Sequence, residues 1–187
     1  KCDWSSDVCS SDLSLSGDGS TALIGAGLDS IGANAYQGSA YIFTKPGGGW
    51  ATASNFEAKL TASDGAASDY FGWAVSLSRD GSTALVGAYL DDVSGNTDQG
   101  SAYIFAKPGA SWATTSTFTA KITASDGAGA DHFGYTLSQS IDGSTLLVGA
   151  LYDDVGGNTD QGSAYIYTKP GTGGWVTTST FEAKLTS

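Results

Sequence analysis

Two acidic loops carry the side chains best suited to bind a cation. The first contains Asp91, Asp92, Asn96 and Asp98, and a near-identical loop follows farther along the chain. Hard cations such as calcium prefer six or more oxygen ligands, several of them charged. The loops are therefore candidate sites for calcium, another divalent cation or a cationic partner. The matching residues of the second loop are Asp153, Asp154, Asn158 and Asp160.

The same loops also have a purely structural explanation. Asp and Asn side chains commonly accept hydrogen bonds from nearby backbone amides and so stabilise turns. An earlier copy of the loop favours this alternative, because Ser30 and Tyr36 stand where two carboxylates are expected, while Asp29 and Asn34 are retained. Both explanations stay open on the sequence alone.

Residues with catalytic potential are sparse. His132 is the only histidine, and Tyr70 stands in its place in the preceding copy of the same segment. A nucleophile needs a base that is itself oriented by a third group, and no serine is singled out beside His132. Repeated carboxylate pairs favour loop stabilisation over the single acid pair of a glycosidase. We therefore expect no catalytic residue. Calcium is the one candidate cofactor.

The first thirteen residues, KCDWSSDVCSSDL, match nothing else in the chain. Eleven of them, from Asp3 to Leu13, agree with the translation of a common sequencing adapter. We interpret residues 1–13 as a non-native artefact segment and exclude them from functional reasoning. Both cysteines, Cys2 and Cys9, fall in this segment, so no disulfide is expected. Without it the chain keeps 7 basic and 16 acidic residues, a net charge of −9 instead of −11.

Composition narrows the class of protein. The chain has 27 glycines, no methionine and only two glutamates, so strong helix formers are scarce and turn formers are common. Its acidity disfavours nucleic-acid binding, which needs a basic surface. No apolar run reaches the roughly 18–20 residues that span a bilayer, so no transmembrane segment is expected in this fragment.

Three tandem units organise the chain. Gln-Gly-Ser-Ala-Tyr-Ile begins at Gln37, Gln99 and Gln161, and Asp-Gly-Ser-Thr and Lys-Pro-Gly recur with the same 62-residue period. A fixed period of this kind indicates a repeat architecture. The predicted units are residues 14–63, with a truncated first strand, 64–125 and 126–187.

Each unit is predicted to form four strands. In the second unit these are Phe71–Ser78, Thr83–Leu90, Ser101–Ala106 and Thr117–Thr123. The second strand is nearly all apolar, as expected for burial on both faces, and the fourth is polar, as expected at an edge. Four such strands are typical of a propeller blade, whereas a sandwich usually needs more. We predict an all-β fold: a β-propeller fragment of about three blades in an open, incomplete ring.

Strand order predicts which loops share an end of the propeller. The acidic loops follow the second strands, and Ser-Asp-Gly segments follow the fourth strands, so their carboxylates are expected at one end. The Lys-Pro-Gly turns and the tryptophans are expected at the other. There Trp112 and Trp175 either stack on sugar rings or cover the outer edge of each blade.

The segment FGWAVSLSRDGSTALVGA, Phe71–Ala88, resembles the FG-GAP repeat of integrin alpha-chain propellers. The longer stretches Ala58–Gly72 and Gln99–Phe105 resemble the bacterial FG-GAP-like repeat. The resemblance implies an extracellular or cell-surface propeller used in adhesion, with a protein or glycan ligand. Integrin-type repeats often carry a calcium loop before the LVGA strand. Of its carboxylates only Asp80 is present here, so we interpret Asp80-Gly81 as a hairpin turn.

The expected function is that of a non-catalytic binding or adhesion module of a secreted or cell-surface protein, with neighbouring blades missing from the fragment. One alternative is the propeller portion of a carbohydrate-active or other extracellular enzyme whose catalytic residues lie outside the fragment. A purely structural array is a third.

Overall fold

The computed structural model describes residues 12–52, 54–171 and 173–187. Most of the predicted artefact segment, residues 1–11, thus lies outside the described residues. The described part forms strands and turns, and it contains no helix suited to crossing a membrane. The strands are β1 Leu13–Leu15, β2 Thr21–Ala26, β3 Ser39–Thr44, β4 Ala58–Leu60, β5 Val75–Leu77, β6 Thr83–Ala88, β7 Ser101–Ala106, β8 Ala120–Ile122, β9 Phe133–Gln139, β10 Thr145–Ala150, β11 Ser163–Thr168 and β12 Ala183–Leu185.

Three four-stranded antiparallel sheets succeed one another along the chain. Their strand orders are β1-β2-β3-β4, β5-β6-β7-β8 and β9-β10-β11-β12, so sequential strands are always neighbours. The innermost strand of the second sheet, β5, contacts both β1 and β9. This arrangement confirms the predicted all-β fold, with three propeller blades in an open ring. The boundaries of the repeat units in the chain stay a prediction.

The first strand of the second sheet is shorter than predicted, and the Phe-Gly pair explains why. Phe71 leaves the sheet and donates its amide to Gln37 O of the preceding unit at 2.9 Å. Gly72 follows with a φ of +95°, a left-handed conformation that breaks the strand. In the third sheet β9 starts at Phe133, and a register shift at Gly149 and Ala150 accommodates the same bend. The predicted strand Ser101–Ala106 agrees with β7 residue for residue.

Apolar cores lie between the sheets. The side chain of Phe71 is fully buried between the first and second sheets, with ring centroids 5.4 Å from Tyr103 and 5.9 Å from Phe105. Phe133 takes the same place between the second and third sheets. The second sheet therefore packs one face against the first sheet and the other against the third, as β6, buried almost throughout, indicates.

Each unit also completes the outer edge of the unit before it. The amide of Thr115 donates to Lys59 O at 3.0 Å, and the amide of Thr61 donates to Thr115 O at 3.2 Å. One unit later Thr178 repeats both bonds with the outer strand β8. We call the segments Thr114–Thr115 and Thr177–Thr178 the clasps. They satisfy backbone groups that would otherwise form an open sheet edge.

Candidate functional site

The buried carboxylate of each acidic loop is held by its own sheet. Asp91 accepts hydrogen bonds from the hydroxyls of Ser101 and Tyr103, and its Oδ2 lies 2.7 Å from the Nζ of Lys121 on β8. That nitrogen also lies 5.0 Å from the centroid of the Tyr103 ring. The first and third sheets repeat the set with Asp29, Ser39, Tyr41 and Lys59, and with Asp153, Ser163, Tyr165 and Lys184.

The loops after second and fourth strands meet at one end of the propeller, as predicted. Lys121 Nζ lies 2.8 Å from Asp64, which belongs to the loop between the first and second sheets. Lys184 joins Asp126 and Asp153 in the same way. We call this end the acidic end.

The remaining residues of the acidic loops bond mainly to one another. Asn96 donates its amide to Gln99 Oε1 at 2.9 Å and to Gly127 O of the next unit at 3.1 Å. Asp92 accepts the amide of Asp98 at 2.9 Å. The third sheet repeats the bonds within the loop with Asn158 to Gln161 and Asp160 to Asp154. These are the turn-stabilising bonds that the structural alternative requires.

The carboxylates of the acidic end are not arranged as a metal-binding group in the described part of the chain. No group of three or more His, Cys, Asp or Glu is arranged there to hold a metal ion. The partner of the buried Asp91 carboxylate is instead the ammonium group of Lys121. The cation site at these loops stays a prediction, which a melting-temperature titration with millimolar calcium tests.

A buried carboxyl group lies beside each acidic loop. Asp69 is 4% exposed and accepts the amide of Ala66 at 2.6 Å. Burial raises the pKa of Asp69 to about 6, and the nearby charges of Asp91 and Asp92 act in the same direction. Burial also raises the pKa of Asp131, its equivalent in the next unit. Each loop that connects two successive sheets therefore contains one buried carboxyl group with a raised pKa, Asp69 in the first loop and Asp131 in the second.

The opposite end is built from hairpin turns and tryptophans. Asp80 accepts hydrogen bonds from Ser78 and Ser82, which lower its pKa, and the turn joins β5 to β6. This confirms the predicted hairpin. Trp112 is buried and donates its indole N–H to Gly81 O at 3.0 Å, and Trp175 does the same to Gly143 O. Their burial supports the covering role over sugar stacking.

A row of aromatic rings crosses the acidic end from the first unit to the third. The Trp73 centroid lies 4.9 Å from Tyr89 and 6.0 Å from Tyr135, and the His132 ring lies 5.3 Å from Tyr89. The rings are half-buried in the middle and exposed at both ends. We call this row the aromatic strip. It consists of Tyr36, Tyr70, Trp73, Tyr89, His132, Tyr135 and Tyr152.

Unusual backbone conformations support the strip. Tyr36, Tyr70 and His132 all have φ near +55°, which costs roughly 1–2 kcal/mol for a residue with a Cβ. The amide of Tyr70 donates to Tyr36 O at 3.1 Å, so adjacent loops hold each other in place. Asp98 and Asp160, at the position of Tyr36 in the later units, have the same φ, so this conformation belongs to the repeat. Burial lowers the pKa of His132, so the ring is neutral near pH 7.

Sequence reasoning missed the strip, although a signal was present. The framework residues of the units are identical, as with Phe71 and Phe133, but their neighbours differ. Tyr70 becomes His132, and Trp73 becomes Tyr135. Side chains that differ between units, beside residues that are identical in every unit, are typical of a recognition surface. The identical residues fix the positions of the loops, and the differing side chains contact the ligand.

The sequence matches the FG-GAP repeat over residues 55–105 and 116–167. The chain belongs to the FG-GAP repeat family. Each matched segment starts near the outer strand of one sheet and ends with the third strand of the next, so the FG-GAP unit bridges two blades. FG-GAP repeats generally form non-catalytic binding or structural modules and typically occur in extracellular or surface proteins. No curated protein matches the chain.

Proposed function

We propose that this FG-GAP chain is a non-catalytic binding and adhesion module of a secreted or cell-surface protein. Its ligand, a protein or a glycan, contacts the aromatic strip at the acidic end. The observation that carries the proposal is the strip itself: seven neighbouring rings, partly exposed, that span three blades.

The chemistry of the strip suits recognition. Aromatic side chains supply much of the binding energy of protein interfaces, because they bury large rigid surfaces at a small cost in entropy. Contiguous exposed apolar surface on a folded protein commonly marks an interaction site. Trp73 and Tyr89 lie at the centre of the strip, where a ligand removes most water.

The surroundings of the strip add specificity. Burial lowers the pKa of His132, and the nearby Asp98 carboxylate offsets only part of this effect, so the strip includes a neutral imidazole ring. Burial, the neighbouring phenols and the Asp98 carboxylate raise the pKa of Tyr89, so its hydroxyl stays protonated and can donate a hydrogen bond. Rings of this kind offer an apolar face and a polar rim to the same ligand.

The test is a binding screen against two panels, neutral oligosaccharides and extracellular-matrix proteins. We expect a ligand in one panel, and we expect Trp73→Ala with Tyr89→Ala to weaken its binding at least about tenfold, or about 1.4 kcal/mol. Phe56→Ala is the matched control, because Phe56 is 43% exposed but lies outside the strip. Absence of binding in both panels, or unchanged binding by the double variant, would contradict the proposal.

A further inference from the structure

The chain holds three of its own lysines with the same pair of groups. Lys121 Nζ lies 2.7 Å from Asp91 Oδ2 and 5.0 Å from the centroid of the Tyr103 ring. A carboxylate and a phenol ring therefore form the cation-binding arrangement of this fold, because the negative charge and the ring face attract the same ammonium group. The other two sets are Lys59 with Asp29 and Tyr41, and Lys184 with Asp153 and Tyr165.

Asp98 stands beside a phenol ring of the aromatic strip. Burial has the largest effect on the pKa values of Tyr89 and His132, and the charge of Asp98 raises both, so the carboxylate lies close to both rings. The amide of His132 donates to Asp98 O at 3.3 Å, which fixes this placement. Asp98 is half-buried, and no lysine or arginine of the described residues forms an ion pair with it. Asp98 and Tyr89 thus offer the same two groups that hold the internal lysines.

One repeat position distinguishes this part of the strip from its beginning. Tyr36 of the first unit becomes Asp98 in the second and Asp160 in the third. The ring of Tyr36 stacks on Tyr70 at a centroid distance of 6.0 Å. The same backbone position therefore presents a ring at one end of the strip and a carboxylate farther along it. The strip is apolar where it begins and negatively charged beyond its middle.

The loops around the strip are strongly acidic. Within the described residues they carry eleven aspartates and three lysines, and each lysine is already paired with an aspartate. A surface of one sign attracts partners of the opposite sign and speeds their association. The eleven aspartates are Asp29, Asp64, Asp69, Asp91, Asp92, Asp98, Asp126, Asp131, Asp153, Asp154 and Asp160. The other described basic residues, Lys45, Arg79, Lys107 and Lys169, belong to turns at the opposite end.

We propose that the ligand of the aromatic strip is a basic polypeptide segment, and that Asp98 and Tyr89 bind one of its lysine or arginine side chains. This inference rests on the proposed function, and it selects a protein over a neutral glycan. The bound cation contacts the carboxylate and the ring, as in the three internal lysine sites. Asp92 and Asp154, which are exposed, attract further basic residues of the segment.

Two labelled peptides test the charge of the partner by fluorescence anisotropy. One is a decapeptide of alternating lysine and glycine, and the other alternates glutamate and glycine. We expect the full chain to bind only the lysine peptide. Raising the sodium chloride concentration from about 0.05 M to about 0.5 M should weaken this binding at least about tenfold, because salt screens charge attraction.

A single charge change tests the site. Asp98→Asn should weaken binding of the lysine peptide about tenfold, because it removes the carboxylate charge beside Tyr89. Asp80→Asn is the matched control, since it makes the same charge change at the opposite end and keeps an oxygen for the hairpin hydrogen bonds. We expect it to change the affinity less than about twofold. Far-UV circular dichroism verifies that both variants are folded.

The outcomes separate this inference from the proposed function. Failure of the lysine peptide to bind, or equal weakening by Asp98→Asn and Asp80→Asn, would overturn the inference, since equal weakening indicates only general attraction to an acidic protein. A neutral oligosaccharide whose binding is lost in the Trp73→Ala, Tyr89→Ala variant but unchanged in Asp98→Asn would overturn the inference and leave the proposed function intact. Unchanged binding of the lysine peptide by that double variant would contradict the proposed function itself.

Discussion

Gly72 in the Phe-Gly pair is the position where a single methyl group tests the packing of neighbouring blades. A Cβ added to Gly72 would lie 2.2 Å from Ser39 O at the start of β3, against an ordinary contact of 3.4 Å or more. Gly95 is the matched control, because its φ of +92° is close to the +95° of Gly72 and a Cβ there meets nothing within 4 Å. Both alanine variants share the cost of the left-handed backbone, about 1–2 kcal/mol.

Gly72→Ala carries an additional packing cost. The first and second sheets must separate by roughly 1 Å, and overpacking of this kind costs about 1–3 kcal/mol. In a chain of this size that lowers the melting temperature by about 2–12 °C beyond Gly95→Ala. Thermal unfolding followed by far-UV circular dichroism measures the difference. Equal melting temperatures for the two variants would refute the close approach of Gly72 to Ser39.

Three further predictions concern stability. Lys121→Ala leaves a buried carboxylate without its ammonium partner, and we expect a loss of about 2–4 kcal/mol in urea unfolding, against less than about 0.5 kcal/mol for the exposed Lys45→Ala. Trp112→Ala should cost about 3–5 kcal/mol, because it removes both the packing and the indole hydrogen bond. Trp112→Phe should cost about 1 kcal/mol, because it loses the hydrogen bond but keeps most of the packing. Equal losses for the two variants would contradict this. Because the folded pKa of Asp69 is about 6 against 3.8, its contribution to stability falls as pH rises from about 4 to 6. The decline in the free energy of unfolding amounts to about 3 kcal/mol at most, and to about 1 kcal/mol after solvent screening. Asp69→Asn should remove this decline. A variant whose stability declines as steeply as the wild type, or more steeply, would count against the role of Asp69.

The fold was predictable because its signals repeat. The 62-residue period and the alternation of Phe118, Ala120 and Ile122 indicate a repeated four-stranded sheet, and the loop positions follow from strand order alone. Strand ends were less predictable. Phe71 has strand-like neighbours, but its amide pairs with the preceding unit, a long-range contact that no local pattern reports.

The candidate site was only partly predictable. Carboxylates stood out in the sequence because they repeat, yet Asp91 bonds to Lys121, which lies far along the chain on β8. The aromatic strip depends on rings from three units, such as Tyr36, Trp73 and Tyr152, whose proximity arises from the stacking of sheets. The clasps were not predictable, because Thr115 forms only a single isolated bridge, with Leu60 of the preceding unit, and no strand pattern in the sequence accompanies it.

Hydroxyl-radical footprinting with the ligand from the binding screen tests the central claim most directly. The account predicts that ligand protects Trp73, Tyr89 and Tyr135 from oxidation, because they form the middle of the aromatic strip. Phe56 should be oxidised equally with and without ligand. Protection confined to the opposite end, around the Lys-Pro-Gly turns, with unchanged oxidation of the strip, would contradict the assignment of the acidic end as the binding surface.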